Sequence, residues 1–340
     1  MNLFRKILFP LAFLYWLVTF IRNWLYNIGI FKSYSFDISI IAVGNLSVGG
    51  TGKTPQIEYL IRLLSEKYKV AVLSRGYKRS TEGFILADEN ATASSIGDEP
   101  FQFYSKFPNI QVAVDANRKN GIENLVQLQD KPDVILLDDA FQHRKVKAGF
   151  YILLTAYDDL FCDDYILPFG NLREPSSGKK RADMIIVTKC PNDLSELTQQ
   201  KIRDKLKVKQ QVFFTTIQYD DYVYGNDSQL LVSKIQSESK LLVAGIAKPK
   251  LFFDFLKNEK DETLVFPDHH HFSQQDCEQI LAKANGRKIV TTEKDFVRLN
   301  GLLPKEQLFY LPIKSTFLNT NIDKTIEDYV GQSTRNSKFY

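Results

Sequence analysis

The sequence has few of the residues that hold metal ions or covalent cross-links. Its 340 residues include 3 cysteines and 4 histidines. Cys162, Cys190 and Cys277 are far apart and odd in number, so they match neither a zinc spacing nor a disulfide framework and indicate reduced thiols. Three histidines are consecutive at 269–271, and adjacent side chains of an extended segment point to opposite faces. A shared zinc ion is therefore disfavoured.

An excess of one charge is also missing. The formal net charge is +4, and the contents of 25% charged and 44% hydrophobic residues are ordinary for a globular protein with a full core. No arginine-rich stripe interleaved with aromatic residues is present, and no nucleic-acid partner is expected. The length is about twice that of a typical domain, which predicts two domains.

The apolar run near the N-terminus is shorter than a bilayer requires. It extends from Ile7 to Ile21, 15 residues against the roughly 20 that span a membrane. No small-residue cleavage site follows it, which disfavours a signal peptide. Trp16, Trp24 and Arg22 suit the lipid headgroup layer, so we favour a helix that lies in the membrane interface. A tilted spanning anchor and a core helix of the first domain are the alternatives.

Apolar strand-like runs alternate with helical stretches, which predicts an α/β fold with a parallel sheet. In the first half, the predicted elements are strands near 38–45, 69–75, 110–114 and 134–138 and helices at 54–67, 98–106 and 116–128. A second series of strands follows Gly149, near 150–155, 184–188, 240–245, 263–266, 288–292 and 307–312.

The natural cut between these two series is near residue 150. We therefore expect an apolar membrane-associated helix at 1–30 and a first α/β domain at 31–149. A second α/β domain is expected at 150–320, followed by a C-terminal helix and polar tail at 321–340.

A phosphate-binding loop follows the first predicted strand. Its residues are Ser47, Val48, Gly49, Gly50, Thr51, Gly52, Lys53 and Thr54. Glycines let backbone N–H groups surround a polyphosphate, the Lys53 ammonium can bridge the β- and γ-phosphates, and the Thr54 hydroxyl can hold Mg²⁺. The usual first glycine of this motif is replaced by Ser47. Because a strand, the loop and a helix occur in the expected order, the sequence predicts binding of a nucleoside triphosphate.

Carboxylates follow at positions where a phosphotransferase needs them. The run Val134–Asp138 predicts a buried strand whose end presents Asp138 or Asp139 to Mg²⁺, and the sequence leaves open which of the two faces the ion. Asp98 begins a predicted helix, where it could be a helix cap or a base that accepts a hydroxyl proton. Its position between two strands of the P-loop domain suits the second role.

Several cations lie near predicted strand ends, where they could meet a phosphate or a lipid headgroup. They include Arg75, Arg118 and Arg144. The segment Thr188–Pro191 is similar to the guanine-reading [NT]-K-x-D motif of GTPases, but its last position is proline. Guanine selection therefore lacks its carboxylate, which weighs against a GTPase.

Taken together, these motifs resemble the tetraacyldisaccharide 4′-kinases, the lipid A kinases of Gram-negative bacteria, over nearly the whole chain. The matching segments are the N-terminal apolar helix, Val43–Pro55, Leu73–Tyr77, Gly97–Pro100, Leu137–Arg144, Gly170–Pro175, Phe266–His269 and Thr292–Asp295. Ser47 is normal for this family, so the departure from the general loop motif supports the resemblance.

The resemblance implies transfer of the ATP γ-phosphate to the 4′-hydroxyl of a tetraacylated glucosamine disaccharide 1-phosphate, with Mg²⁺. It also implies a P-loop NTPase-like α/β/α sandwich and a second, smaller α/β/α domain, joined by a short two-stranded linker. Asp98 matches the catalytic base of the family, and His269 matches the histidine paired with it. Lys53 is expected to act on the phosphates during transfer. Arg118, Arg173 and Glu174 match positions associated with nucleotide or acceptor handling. Because His269 belongs to the second predicted domain, closure of the domains is expected to assemble the pair.

The implied partners are a lipid substrate and a membrane surface, because an acceptor with four acyl chains does not leave the bilayer. The expected location is the cytoplasmic face of the bacterial inner membrane, with a peripheral or single N-terminal attachment, and a monomer is expected. The alternative is a membrane-associated P-loop NTPase switch that acts on a protein partner. It predicts nucleotide hydrolysis and guanine selectivity, and the proline at position 191 weighs against it. A P-loop ATPase that inserts or assembles membrane proteins is a third alternative, and it gives Asp98 and His269 no role.

Overall fold

The computed structural model describes residues 8–246, 248–268 and 270–336. Its strands are β1 (Ser39–Asn45), β2 (Val70–Ser74), β3 (Ile85–Leu86), β4 (Gln111–Val114), β5 (Val134–Asp138), β6 (Phe150–Ala156), β7 (Met184–Thr188), β8 (Gln211–Tyr219), β9 (Tyr222–Tyr224), β10 (Gln229–Leu231), β11 (Lys240–Ala244), β12 (Glu262–Val265), β13 (Lys288–Thr292), β14 (Leu308–Leu311) and β15 (Ile313–Phe317).

The helices are α1 (Phe9–Asn27), α2 (Lys53–Leu64), α3 (Ala93–Ile96), α4 (Asp98–Lys106), α5 (Arg118–Val126), α6 (Glu196–Leu206), α7 (Val232–Ser237), α8 (Lys250–Leu256), α9 (Gln274–Ala284), α10 (Glu293–Leu299) and α11 (Asp323–Asn336). A 3₁₀ helix spans Ser176–Arg181. The strands and helices predicted from the sequence are all present, with ends that differ by a few residues.

Strands of the described residues form two sheets. The larger has the order β15-β8-β7-β6-β1-β5-β2-β4-β3 and is parallel except for its edge strands β15 and β3. Every residue of β1, β2, β5 and β7 is buried, as expected for parallel strands that helices cover on both faces. The smaller sheet has the order β10-β9-β14-β13-β11-β12, with β9 and β10 antiparallel to their neighbours.

The domain boundary expected near residue 150 falls within the larger sheet and not between the two sheets. β6 pairs in parallel with β1, so the hydrogen-bond ladder of the phosphate-loop sheet continues through β7 and β8. The chain leaves this sheet after Tyr219 and returns at Ile313. Apolar runs predict where strands are, but the choice of partner strand depends on packing across the sheet. Drawn along the sheets, the second unit covers residues 220–312.

The N-terminal helix α1 lies on the outside of this fold. Ala12 is its buried residue, whereas large apolar side chains are exposed at Phe9, Leu11, Phe13, Leu14, Leu17, Val18, Phe20, Ile21 and Trp24. The alternative of a core helix is therefore wrong. In the part of the chain that the structure describes, no helix combines the length and the apolar character needed to cross a bilayer.

The C-terminal helix α11 packs against the larger sheet. Ile322, Ile326 and Val330 are fully buried in the same core as β1 and β5. The Tyr329 hydroxyl donates to the carbonyl oxygen of Ile40 and accepts from its N–H group, at 3.1 and 3.2 Å. These contacts attach α11 to the start of β1, and the phosphate loop follows the other end of this strand.

Candidate active site

The phosphate loop connects the end of β1 to the start of α2 at the centre of the larger sheet. Gly49 and Gly52 have φ angles of +112° and +83°, in the left-handed region that glycine adopts without a Cβ clash. Gly52 immediately precedes α2, so the loop curls directly onto the N-terminus of that helix. Backbone N–H groups and the positive end of the helix dipole therefore face the same space, which suits a polyphosphate.

Two residues outside the loop support its backbone: Thr188, the last residue of β7, and Lys189, which follows it. The Thr188 hydroxyl donates to the carbonyl oxygen of Thr51 at 2.7 Å, and the Lys189 ammonium donates to that of Gly50 at 2.6 Å. The sequence comparison with the guanine motif placed Thr188 and Lys189 at a strand end but did not predict their contacts. In this structure they hold two carbonyl groups of the loop, those of Thr51 and Gly50, and so fix its backbone.

Lys53 and Arg173 both contact the carboxylate of Asp139. The Lys53 ammonium is 3.6 Å from Asp139, and the Arg173 guanidinium forms two hydrogen bonds to it, at 2.8 and 3.0 Å. Burial alone would raise the pKa of Asp139, but the Arg173 hydrogen bond and the Lys53 charge lower it to about 2. Asp139 is therefore ionised at neutral pH and holds two cations beside the loop.

Asp138 has the opposite environment from its neighbour. It ends β5 opposite Val43 of β1, is buried, and accepts a 3.0 Å hydrogen bond from the Ser74 hydroxyl. Burial, together with the negative charges of Glu99 and Asp139, raises its pKa to about 7. A buried carboxyl that lacks a directly bonded cation is a suitable ligand for a bound cation.

The donor atoms near Asp138 are compatible with Mg²⁺. Thr54 offers a hydroxyl at the start of α2, and the Glu99 carboxylate lies 3.5 Å from that hydroxyl. Mg²⁺ prefers oxygen ligands and in nucleotide sites takes only one or two from the protein, the rest from phosphates and water. Within residues 8–246, 248–268 and 270–336, no three His, Cys, Asp or Glu side chains form a metal cluster.

Asp98 begins α4 and is held by an arginine from the other sheet unit. Its carboxylate accepts a 2.9 Å hydrogen bond from Nε of Arg298, on α10, and a second bond from the same guanidinium. Arg298 was not predicted as a site residue, because α10 is distant in sequence. His269, the partner expected for Asp98, lies outside the described residues, so their pairing stays a prediction.

A second ion-pair cluster joins the same two units at the other end of α4 from Asp98. The Lys106 ammonium, at the end of α4, donates to Glu58 of α2 at 2.8 Å and to Glu293 of α10 at 2.6 Å. Burial and the charge of Glu58 raise the pKa of Glu293 to about 7. α2, which follows the phosphate loop, is therefore connected through α4 to the second unit.

Two of the predicted substrate residues have mainly internal contacts. Arg118 is 1% exposed, and its guanidinium donates to the carbonyl oxygens of Asp115 and Asp138, at 2.6 and 3.0 Å. Glu174 is 3% exposed and accepts hydrogen bonds from Asn23 of α1 and from Arg181. Glu174 thus fixes α1 to the larger sheet.

The histidines that follow position 269 are accounted for in part. His270 is hydrogen-bonded to Asp276 at 3.0 Å and stacks on Phe266, with ring centroids 4.9 Å apart. Asp276 also takes part in the capping box at the start of α9. His270 therefore stabilises the loop before α9.

The family model for tetraacyldisaccharide-1-P 4′-kinase, LpxK, matches residues 4–330 of the sequence. The chain belongs to this family. The tetraacyldisaccharide 4′-kinase of Flavobacterium johnsoniae is 66% identical to it, over 98% of this chain and 99% of the relative. The kinase of the same name from Bacteroides thetaiotaomicron is 44% identical, over 98% and 96%.

A solved structure of LpxK from Aquifex aeolicus, in complex with ATP, has the same fold. It superimposes with a TM-score of 0.79 at 27% sequence identity and covers 98% of this chain and 100% of the other. The predicted family, the P-loop α/β fold and the activity of an ATP-dependent kinase of lipid A biosynthesis are confirmed.

Proposed function

We propose that this chain transfers the γ-phosphate of ATP to the 4′-hydroxyl of a tetraacylated glucosamine disaccharide 1-phosphate, with Asp98 as the base. The observation that carries the assignment of Asp98 is the 3.5 Å contact between Glu99 and the Thr54 hydroxyl. It supports a position of Asp98, which precedes Glu99 in α4, near Thr54, the last residue of the phosphate loop. An acceptor hydroxyl bound there meets a carboxylate on one side and the γ-phosphate on the other.

Phosphoryl transfer depends on positioning and on charge neutralisation more than on covalent chemistry. In this proposal the loop 47–54 binds the triphosphate, and Lys53 neutralises the γ-phosphate oxygens. Thr54 and Asp138 would hold Mg²⁺, which neutralises charge between the β- and γ-phosphates. Asp139 keeps Lys53 and Arg173 in place, so of the two adjacent carboxylates we assign the metal to Asp138.

Asp98 accepts the hydroxyl proton as the acceptor oxygen bonds to the γ-phosphorus, while the bond from that phosphorus to the β,γ-bridging oxygen breaks and ADP leaves. An aspartate is a weak base for a sugar hydroxyl, so a partner that shares the proton or orients the carboxylate is needed. Two hydrogen bonds from Arg298 to the same oxygen of Asp98 support an orienting role, which leaves the other oxygen for the acceptor. His269 is proposed as the group that shares the proton, as in the family.

The acceptor carries four acyl chains, so the enzyme must meet it at a membrane. The exposed apolar side chains of α1 support attachment of this helix to the bilayer interface. Because ATP is supplied from the cytoplasm, we propose that the chain works at the cytoplasmic face of the inner membrane. It is proposed to act as a monomer.

A transfer assay with ATP labelled at the γ-phosphate tests the proposal. The protein, Mg²⁺ and ATP are mixed with tetraacyl disaccharide 1-phosphate in neutral detergent micelles. We expect labelled lipid from the wild type and from the control variant Lys131→Ala, an exposed site, and none from Lys53→Ala. Asp98→Ala is expected to lose more than two decades in kcat with ATP affinity nearly unchanged.

Two outcomes would contradict parts of this proposal. Loss of ATP binding in Asp98→Ala would assign Asp98 to structure instead of proton transfer. Release of labelled phosphate by the wild type, without labelled lipid, would overturn the acceptor assignment and favour an NTPase switch with a protein partner.

A further inference from the structure

A basic pocket lies between α1 and the loops that follow β4 and β5. Its volume is about 460 Å³, and it is lined by Arg22, Tyr26, Ala116, Asn117, Arg118, Lys119, His143, Arg144 and Lys145. No acidic side chain is among these residues. The lining residues come from the helix assigned to the membrane and from the edge of the sheet that carries Asp138.

Three cations of this pocket have no carboxylate beside them, whereas a fourth, Lys119, pairs with Glu123. Across the residues that the structure describes, no carboxylate lies within 4.0 Å of Arg22, Arg144 or Lys145. The guanidinium groups of Arg22 and Arg144 lie 5.3 and 5.1 Å from the centre of the Tyr26 ring and donate to the uncharged carbonyl oxygens of Gln142 and Asn23. Their positive charges repel one another, which favours an anionic ligand among them.

The inner wall of the pocket provides further donors. Arg118 is 1% exposed, and its Nε atom has no hydrogen-bond partner although both terminal nitrogens donate to carbonyl oxygens. An unpaired buried N–H group is costly, which favours a ligand or a water molecule beside it. Arg118 also begins α5, a nine-residue helix whose preceding residue, Asn117, makes no side-chain cap. The positive end of this helix therefore faces the pocket.

The His143 side chain lies near several of these positive charges, which affect its pKa. Burial lowers its pKa, and the charges of Arg118, Arg75 and Arg22 lower it further, to about 4. At neutral pH the ring is therefore uncharged and can donate one hydrogen bond and accept another. The pocket thus combines fixed positive charge with a neutral donor.

We propose that this pocket binds a phosphate monoester, which on the proposed function is the 1-phosphate of the acceptor. In a glucosamine disaccharide the 1-phosphate and the 4′-hydroxyl lie at opposite ends of the molecule. Arg118 donates to the backbone of Asp138, so the inner wall of the pocket adjoins the residues assigned to Mg²⁺. An acceptor could therefore place its phosphate against α1, near the bilayer, and its 4′ end toward the γ-phosphate.

The test uses Arg22→Gln/Lys145→Gln, which removes two charges without touching Asp98, Lys53 or the metal ligands. The control is Lys147→Gln, an exposed lysine on the same loop that does not line the pocket. Binding of labelled acceptor in neutral micelles is measured without ATP, for tetraacyl disaccharide 1-phosphate and for the same lipid lacking the phosphate. We expect the double variant to weaken binding of the phosphorylated lipid by roughly 10- to 100-fold and that of the dephosphorylated lipid by less than threefold.

A second experiment distinguishes the 1-phosphate of the acceptor from the phosphate of a phospholipid headgroup. Sedimentation with phosphatidylcholine vesicles, with and without phosphatidylglycerol, measures recognition of a phospholipid headgroup. Loss confined to this arm would overturn the proposed phosphate monoester and its assignment to the acceptor, and would favour the phosphodiester of a phospholipid. Equal behaviour of the double variant and Lys147→Gln in both arms, with unchanged melting temperatures, would overturn the pocket itself. The first arm needs no phosphoryl transfer, so its result stands apart from a failure of the proposed kinase reaction.

Discussion

At the phosphate loop, Lys53 and Arg173 lie against the carboxylate of Asp139, whereas at the basic pocket Arg22 and Arg144 lie against the ring of Tyr26. Both regions concentrate cations. Lys53 and Arg173 share the fixed negative charge of Asp139, whereas the guanidinium groups at Tyr26 have no carboxylate partner among the described residues. The difference follows the expected ligands. ATP arrives with Mg²⁺, which already neutralises part of its charge, so the loop needs cations in an exact position. A sugar phosphate brings no metal, so a site for it must supply net positive charge.

The largest effect is expected at the compensated site, from Lys53→Met. This change removes the cation assigned to the γ-phosphate and leaves Asp139 paired with Arg173. The loss of one preorganised charge at the reacting group is expected to lower kcat by about 10²–10³-fold. Single-turnover transfer at saturating ATP measures it, with Lys131→Met as the control. A loss below tenfold would show that the loop depends on its backbone N–H groups and not on this charge.

Arg173→Lys separates charge from geometry at the same site. The charge stays, but the two parallel hydrogen bonds to Asp139 cannot both form, because lysine lacks the planar fork of arginine. We expect kcat to fall roughly 10- to 30-fold. The melting temperature should change little. Full activity in Arg173→Lys would mean that position 173 contributes only net charge, as proposed for the basic pocket.

The residues that support the loop from β7 should matter less. Thr188→Val removes the hydroxyl that donates to Thr51, and Lys189→Met removes the ammonium that donates to Gly50. Neither group is assigned to a reacting atom, so each change is expected to raise the KM for ATP about 3- to 10-fold with kcat nearly unchanged. Steady-state kinetics with ATP as the varied substrate measures this. A fall in kcat at unchanged KM would instead place Lys189 at the γ-phosphate.

A similarly small effect, outside the transfer site, is expected from single changes on the exposed face of α1. Leu14→Ser removes an apolar side chain that is 57% exposed and should lower partition onto phosphatidylcholine vesicles by roughly threefold to tenfold, with no loss of folding stability. Leu251→Ser, at a 71% exposed leucine in the second unit, is the control. Equal behaviour of the two variants in vesicle sedimentation would remove α1 from the membrane contact.

The fold and the loop could be predicted because their signals are local. β1, β5 and β7 are continuous apolar runs, and residues 47–54 follow one another in the chain. β8 was not predicted because Gln211–Tyr219 mixes polar and apolar residues in a strand that is only partly buried. The cut near 150 followed from counting strands, whereas the sheet itself continues from β1 into β6 by hydrogen bonds between segments that are more than 100 residues apart.

The contacts within the site depend on tertiary structure more than the strands and the phosphate loop do. Arg298 reaches Asp98 from a helix 200 residues away, and no local pattern marks it. Arg118 was predicted as a ligand-handling residue, but its burial and its bonds to backbone carbonyl groups could not be read from the sequence. The adjacent residues Asp138 and Asp139 have identical side chains, and their pKa values diverge only because one is buried beside carboxyl groups and the other beside cations.

Arg173 and Glu174 are neighbours in the chain, and each is tied to a different part of the molecule. The side chain of Arg173 holds Asp139, its carbonyl oxygen accepts from Tyr15 of α1 at 2.9 Å, and Glu174 accepts from Asn23 of α1 at 2.9 Å. Helix α1 and the cation at the phosphate loop are therefore mechanically connected through two adjacent residues. On the proposed attachment of α1 to the bilayer, a chimeric kinase that exchanges α1 for another anchor must carry residues 171–174 with it, since otherwise the new anchor would shift the height of the transfer site above the bilayer.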